Sequence, residues 1–314
     1  MNKISPFQKK NVMVLTAMVC CLLWGSAFPA IKLSYAELGS LDAWQMLLLA
    51  GLRFTLAGAM VLASGGLCMK IRVIPPRREW PLLLTVAGLQ TFGAYVAYYI
   101  GMSRVTGVKG SILNSLSVFL VAVFAHFMSG SRSDADRLSW RKAFGLLCGF
   151  MGVVVVNVTL LTGEMFSFAL EGEGLIVVQC VLSALATVLV RKYGGKTDTV
   201  RLSGGQLAIG GVLLIAAGYA GNPQGLAFTP AALILLVYMA ALSAAAFTLW
   251  FVMLKYHKAT VLEQYKFAIP LFGTLLSVLL VPGEHIGPEI IAAAALVALG
   301  VWIVNKEEKR VSAS

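Results

Sequence analysis

The chain has 314 residues, 59% hydrophobic and only 12% charged, with a formal net charge of +11. A soluble domain carries about 25% charged residues, so there is too little polar surface here to cover a water-soluble globule. The positive charge sits in short loops between apolar blocks, which is a mark of membrane topology and argues against nucleic acid as the partner.

The apolar blocks are about twenty residues long, enough for a helix to cross the ~30 Å hydrocarbon core of a bilayer. Ten spans are predicted, at 12–33, 44–67, 81–102, 108–128, 142–161, 173–191, 202–220, 230–254, 260–281 and 286–304. Barrel strands would be half as long and would alternate in polarity, so the blocks read as helices. The expected class is therefore an all-α membrane protein with lipid as its surrounding partner.

The first block follows Lys9 and Lys10 and resembles the start of a signal peptide. It runs on through Pro29 to Lys32, long enough to span, and is read as a retained helix. Trp24 lies well inside it, whereas Trp44, Trp80 and Trp140 fall at span ends, as interfacial aromatics do. In the second span Arg53 lies roughly 13 Å beyond Trp44 at 1.5 Å per residue. A mid-bilayer charge costs about 3 kcal/mol or more and faces protein or a water-filled cavity. Arg53 reads either as a gate or anion site or, with more weight, as a structural arginine bonded to helix ends.

The third span holds Gln90 and the tyrosines Tyr95, Tyr98 and Tyr99, which share a helix face at i, i+3 and i+4. The fourth holds Asn114 and ends near His126, the sixth holds Gln179, and the seventh Gln206. Buried amides need partners. These either contact a substrate or hold helices together, and Asn114 and Gln179 are placed at a cavity. Asn157 reads as a helix cap. In the eighth span Phe247 and Trp250 repeat the i, i+3 pattern. Tyr and Trp rings offer an apolar body with a polar tip, so Trp24, Tyr95, Tyr98, Tyr99 and Trp250 are candidate substrate-binding residues, the alternative being helix packing.

In the ninth span Lys266 either snorkels to the cytoplasmic face or offers its ammonium to a substrate carboxylate. Pro270 cannot donate to the carbonyl of Lys266, so a kink or hinge is expected there; Pro29 and Pro270 are candidate gating or structural residues. Glu263 is the acid closest to a span interior, read as lying near the inner boundary. The cysteines Cys20, Cys21, Cys68, Cys148 and Cys180 match no metal spacing and read as small packing residues. No catalytic cluster, metal motif or Walker-type loop is present, so neither enzyme activity nor a cofactor is expected; Gly194-Gly195-Lys196-Thr197 reads as a cytoplasmic turn.

Most of the 25 bases border alternate ends of the spans, including Lys9, Lys10, Arg77, Arg78, Arg141, Lys142, Arg191, Lys192, Lys255, Lys306 and Lys309. The positive-inside rule then puts both termini in the cytoplasm. Two stretches recur between halves: Gly152-Val-Val-Val-Val-Asn157 against Gly300-Val-Trp-Ile-Val-Asn305, and the aromatic spacing of Ala94 to Tyr99 against Ala246 to Phe251. Five spans per half is an odd number, so the second half, 163–314, would lie inverted relative to the first, 1–162. Inverted repeats are a recurrent transporter architecture with the substrate near the midplane.

Leu23-Trp24-Gly25-Ser26-Ala27-Phe28-Pro29-Ala30-Ile31-Lys32, Leu52-Arg53-Phe54, Ile269-Pro270-Leu271-Phe272 followed by Pro282-Gly283-Glu284-His285, and Gly300-Val301 resemble, in order and spacing, the EamA-like ten-helix branch of the drug/metabolite transporter superfamily. The resemblance implies export or exchange of amino acids and related metabolites across the cell inner membrane. It implies a cavity lined mainly by helices one, three, four, six, eight and nine, with helix two peripheral. Ser117 stands where the family's fourth helix has proline, and Ser129 to Asp134 replace its glutamate turn, so a straighter fourth helix is expected. A small-molecule substrate and a monomer complete the expectation.

Overall fold

The computed structural model describes residues 5–105, 107–128, 138–156, 169–281, 287 and 289–313. Asn157, the Ser129 to Asp134 turn and the Pro282 to His285 motif lie outside the described residues. The described residues are helical, with no strand among them. In chain order the helices are α1 (Lys10–Leu38), α2 (Ala43–Cys68), α3 (Arg77–Met102), α4 (Gly107–Asn114 and Leu116–Met128), α5 (Trp140–Val156) and α6 (Leu170–Lys196). They continue as α7 (Thr199–Gly221), α8 (Pro230–Tyr256), α9 (Ala259–Glu263 and Ala268–Leu280) and α10 (Glu289–Ala313).

Seven of these are long and apolar enough to cross a membrane, namely α1, α2, α3, α6, α7, α8 and Glu289–Glu307 of α10, and Ile112–Met128 of α4 is a shorter apolar helix. Large apolar side chains such as Leu15, Val212, Ile234, Leu279 and Ile291 point outward, as a lipid-facing surface requires. Trp44, Trp80 and Trp140 are exposed at helix ends. Of the cysteines, Cys20, Cys21, Cys148 and Cys180 are buried packing residues, whereas Cys68 at the end of α2 is exposed. Gly194–Lys196 forms the expected turn at the end of α6.

Local chemistry sets the ends. Asp42 caps α2 by accepting from Gln45 N at 2.8 Å while the Gln45 side chain accepts from Asp42 N, a reciprocal capping box. Thr229 caps α8 ahead of Pro230 at the first helical position. At the start of α3 the buried Glu79 takes a forked pair of hydrogen bonds, 2.7 and 2.9 Å, from Arg201 of α7.

In lipid, helices associate through close van der Waals contact, which small residues permit. Along the α2–α7 seam, Gly51 lies against Gly211 and Ile215, Gly58 against Ala208 and Gly65 against Val200, so the two helices run antiparallel. A Cβ added at Gly51 would stand 2.6 Å from the backbone nitrogen of Ile215, closer than any side chain allows. α5 and α10 form a second antiparallel pair, with Gly145 against Gly300 and Val304, and Gly152 against Ala293 and Val297. α1 runs antiparallel to α8 and parallel to α9: Cys20 meets Ala246, Ser26 meets Tyr238, Cys21 meets Tyr265 and Gly25 meets Ile269. In the other half α6 runs antiparallel to α3 and parallel to α4: Gln90 meets Ser183, Gly101 meets Gly172 and Gly110 meets Ile176.

α4 is not straighter. It breaks at Ser115, where the backbone tightens into bonds from Ser115 N to Ile112 O and from Val118 N to Ser115 O, both 3.2 Å. The break needs no proline because side chains take over the freed carbonyls: Ser117 Oγ donates to Asn114 O at 2.8 Å, and Cys180 Sγ of α6 lies 3.4 and 3.5 Å from Leu113 O and Asn114 O. α9 breaks through the 3-10 turn Gln264–Phe267. Pro270 then sits in the first turn of the following helix, where a missing N–H costs nothing.

Candidate functional site

The second helix is not peripheral: α2 packs on α7, α8 and the second half of α3. That contact draws the predicted aromatics together. Tyr95, Tyr98 and Tyr99 form one cluster, with ring centroids 5.6 to 6.4 Å apart. Phe54 of α2 lies 4.5 Å from Tyr95 and 6.2 Å from Phe247 of α8. Trp24 of α1 continues the row, 5.6 Å from Phe247 and 5.1 Å from Trp250. Most of these pairs meet edge to face, the arrangement that ring quadrupoles favour. The result is an unbroken aromatic row across α3, α2, α8 and α1, joining residues from both halves of the chain. A π-helical turn over Ala87–Gly93 precedes the tyrosines; the extra residue in such a turn rotates the rest of the helix, and these turns recur at functional sites.

Two cations adjoin the row. At one end Lys266 stands 5.6 Å from the Trp24 ring and 5.0 Å from the Trp250 ring, within cation–π range. It does not snorkel: its ammonium pairs at 2.8 Å with Glu263, whose side chain is 1% exposed. The other Glu263 oxygen accepts from Trp250 Nε1 at 3.1 Å. Glu263, read from sequence as lying near the boundary, is thus fully buried and organises this end. Inside the row, the Arg53 guanidinium lies 5.1 Å from the Phe54 ring centre; Arg53, 5% exposed, donates from Nε to Ser243 Oγ at 2.8 Å, and Ser243 in turn donates to Met239 O at 2.7 Å. Its partner is a mid-helix serine, not a helix terminus as the structural reading supposed.

The other candidates sit elsewhere. Asn114 and Gln179 both lie against Cys180 at the α4–α6 contact, its Sγ 3.5 Å from the Asn114 carbonyl oxygen and 3.5 Å from Gln179 Oε1. Gln90 donates to Ser183 at 3.2 Å and Gln206 accepts from Thr91, so these two amides hold helices together. Pro29 is buried in the last third of α1, beyond Ser26, which accepts from Tyr238 at 2.7 Å. Phe54, Ser243 and Glu263 had no part in the predicted site. The i, i+3 charge pair of Glu263 and Lys266 was a visible signal for one of them; Ser243 in an alanine-rich stretch gave none.

The EamA-like transporter family model matches residues 11–158 and 170–306. A Bacillus subtilis (strain 168) protein, the uncharacterized transporter YvbV, is 25% identical over 293 residues, covering 92% of this chain and 90% of its own length. An uncharacterized transporter of Archaeoglobus fulgidus is 24% identical over 292 residues, 90% of this chain and 95% of its own. The WAT1-related protein At3g02690, chloroplastic, of Arabidopsis thaliana is 26% identical over 220 residues, 66% of this chain and 50% of its own. A solved crystal structure superposes with a TM-score of 0.77, over 96% of this chain and 99% of its own, at 21% identity, which is a likeness of fold alone. With both halves matched and apolar helices throughout, this chain belongs to the EamA-like transporter family of the drug/metabolite transporter superfamily: a multi-pass membrane transporter and not an enzyme.

Proposed function

We propose that the chain is a secondary transporter that exports small organic metabolites, such as amino acids, across the cell inner membrane by alternating access. The transporting unit in this reading is a monomer of ten crossings with both termini cytoplasmic, formed by inverted five-helix repeats at 1–162 and 163–314.

Helix pairing supports the repeat. Exchanging each helix for the one five places on leaves the contacts in place: α1–α8 becomes α6–α3, α1–α9 becomes α6–α4, and α2–α7 and α5–α10 become themselves. The parallel and antiparallel senses of these pairs fit a chain that alternates direction ten times. The two family matches, one per half, point the same way.

The observation that carries the functional reading is the aromatic row flanked by two cations, Arg53 buried and Lys266 partly buried, drawn from both halves. Aromatic faces receive an apolar side chain, and the polar tips and charges hold its ionic end. Trp24, Tyr95, Tyr98, Tyr99, Trp250 and Lys266 line this path, with Asn114 and Gln179 at the neighbouring α4–α6 contact. Rocking of one half against the other about the row would expose it to each side in turn.

Counterflow in proteoliposomes across a panel of amino acids, organic acids and drugs tests this. Saturable flux of the metabolites is expected, reduced about tenfold or more by Trp250→Ala and by Tyr98→Ala with membrane insertion intact. Flux of uncharged hydrophobic drugs alone would replace the substrate class with drug efflux, and no saturable flux for any compound would sink the transport reading.

A further inference from the structure

Resting on the transport reading but replacing amino acids as its substrates, we propose that Arg53 is the anion-binding group of the site and that the substrate class is a small monocarboxylate with an apolar or aromatic body. The two cations differ in what they already hold. Lys266 has a carboxylate partner in Glu263. Arg53 has a single hydrogen bond among the described residues, from Nε to Ser243, and no ion pair. The acids nearest to it in sequence are exposed and bonded elsewhere, Glu37 to Thr229 and Asp42 to Gln45 and Asn222.

An arginine cannot resolve this by losing its proton. Its Nη1 and Nη2 groups carry four N–H donors in a fork that matches a carboxylate. Ser243 fixes that fork through Nε, and Met239 O fixes Ser243 in turn. Around it the charge of Arg53 reaches Tyr35, Tyr95 and Tyr99. Phe54, its chain neighbour, joins the tyrosines to Phe247 in the aromatic row. A carboxylate held at Arg53 would lay its body along Tyr95, Phe54 and Phe247.

Charge balance selects the class. With Lys266 and Glu263 neutralising each other, the site carries one uncompensated positive charge. A monoanion cancels it. A zwitterion would bring an ammonium with no free acid to receive it, and a dianion would overshoot; in low dielectric either imbalance is costly.

The test uses the full chain in lipid nanodiscs, titrated with phenylacetate, its neutral isostere phenylacetamide, and L-phenylalanine, and read by thermal stabilisation. Phenylacetate is expected to bind at least tenfold more tightly than phenylacetamide, with L-phenylalanine weaker than phenylacetate. Arg53→Gln should abolish the acid-over-amide preference and Arg53→Lys should keep part of it. Ser243→Ala, which frees the fork without removing the charge, should weaken phenylacetate several-fold relative to phenylacetamide. Equal binding of acid and amide would overturn the proposal, as would a preference that survives Arg53→Gln, or one lost in Lys266→Gln instead. If Arg53→Gln does not fold, the wild-type acid-to-amide ratio and Ser243→Ala decide. Acid-selective binding without phenylacetate flux in proteoliposomes would keep this assignment while removing the transport reading, so the two fail separately.

Discussion

Lys266, partly buried, and Arg53, buried, are cations of one helical core, and they meet their surroundings in opposite ways. Lys266 sits on the broken helix α9 one turn from an acid, and the Glu263–Lys266–Trp250 group is closed on itself. Arg53 sits on the straight helix α2, seamed to α7 by glycines, and its one bond is to a neutral hydroxyl. The first cation has an acid partner, whereas the second has a neutral hydroxyl and the face of the Phe54 ring, 5.1 Å away. A buried polar group therefore has to be judged by its partners; depth alone would have ranked the two cations together.

The sharpest way to break this comparison is to remove the acid. Breaking a buried ion pair by deleting one partner costs about 3–5 kcal/mol. Lys266 keeps 19% of its side chain exposed, so Glu263→Gln is expected to cost about 2–3 kcal/mol, at or just below the lower end of that range. The double variant Glu263→Gln with Lys266→Met should recover most of the loss, because no uncompensated charge then remains. Melting curves of the four proteins in one detergent give the coupling directly. A double variant as unstable as Glu263→Gln alone would mean that the pair is not the organising contact.

The opposite cation should respond with the opposite sign. Arg53→Gln removes a charge that the folded chain does not compensate, so its cost should be within about 1 kcal/mol of zero, and a gain in stability is allowed. A loss as large as that of Glu263→Gln would show that Arg53 is a structural post and would erase the contrast.

Much of this was legible in the sequence, for physical reasons that also mark the limits. Span positions followed from apolar length, and the observed α2, Ala43–Cys68, lies within a residue of the predicted 44–67 at each end. Tyr95, Tyr98, Tyr99, Trp24 and Trp250 could be grouped because helical spacing and the recurring aromatic pattern are local properties. The break in α4 was not legible. Its cause is partly Cys180, 66 residues away from Asn114 in the chain, and the local signal, a missing proline at Ser117, pointed to a straight helix. The burial of Glu263 was not legible either: distance along the chain set its place near a span end, but its burial depends on the neighbouring helices, above all α4, that close over it. Position along the chain carried the architecture, while the state of each polar group depended on a partner from elsewhere.

A half-buried base, His257, sharpens the rule with the smallest effect. His257 lies in the turn between α8 and α9, and its Nε2 is 2.6 Å from the carbonyl oxygen of Phe7. Burial lowers its pKa below the usual histidine value; the Phe7 carbonyl opposes this and the nearby Arg191 adds to it. His257 thus meets partial burial by holding its proton less tightly, a route closed to arginine. Since the folded pKa is the lower one, the unfolded chain binds more protons between the two values, and folding stability rises with pH there. The contribution is complete above the unfolded value of about 6.5 and is lost as pH falls from there toward the folded pKa, below which it levels off. Melting temperature measured between pH 5 and 8 should therefore show a shallow decline below about pH 6.5 that disappears in His257→Asn. A decline of equal size in the variant would assign it to other groups. A flat profile in the wild type would mean that the Phe7 carbonyl offsets the burial, leaving His257 charged at little cost.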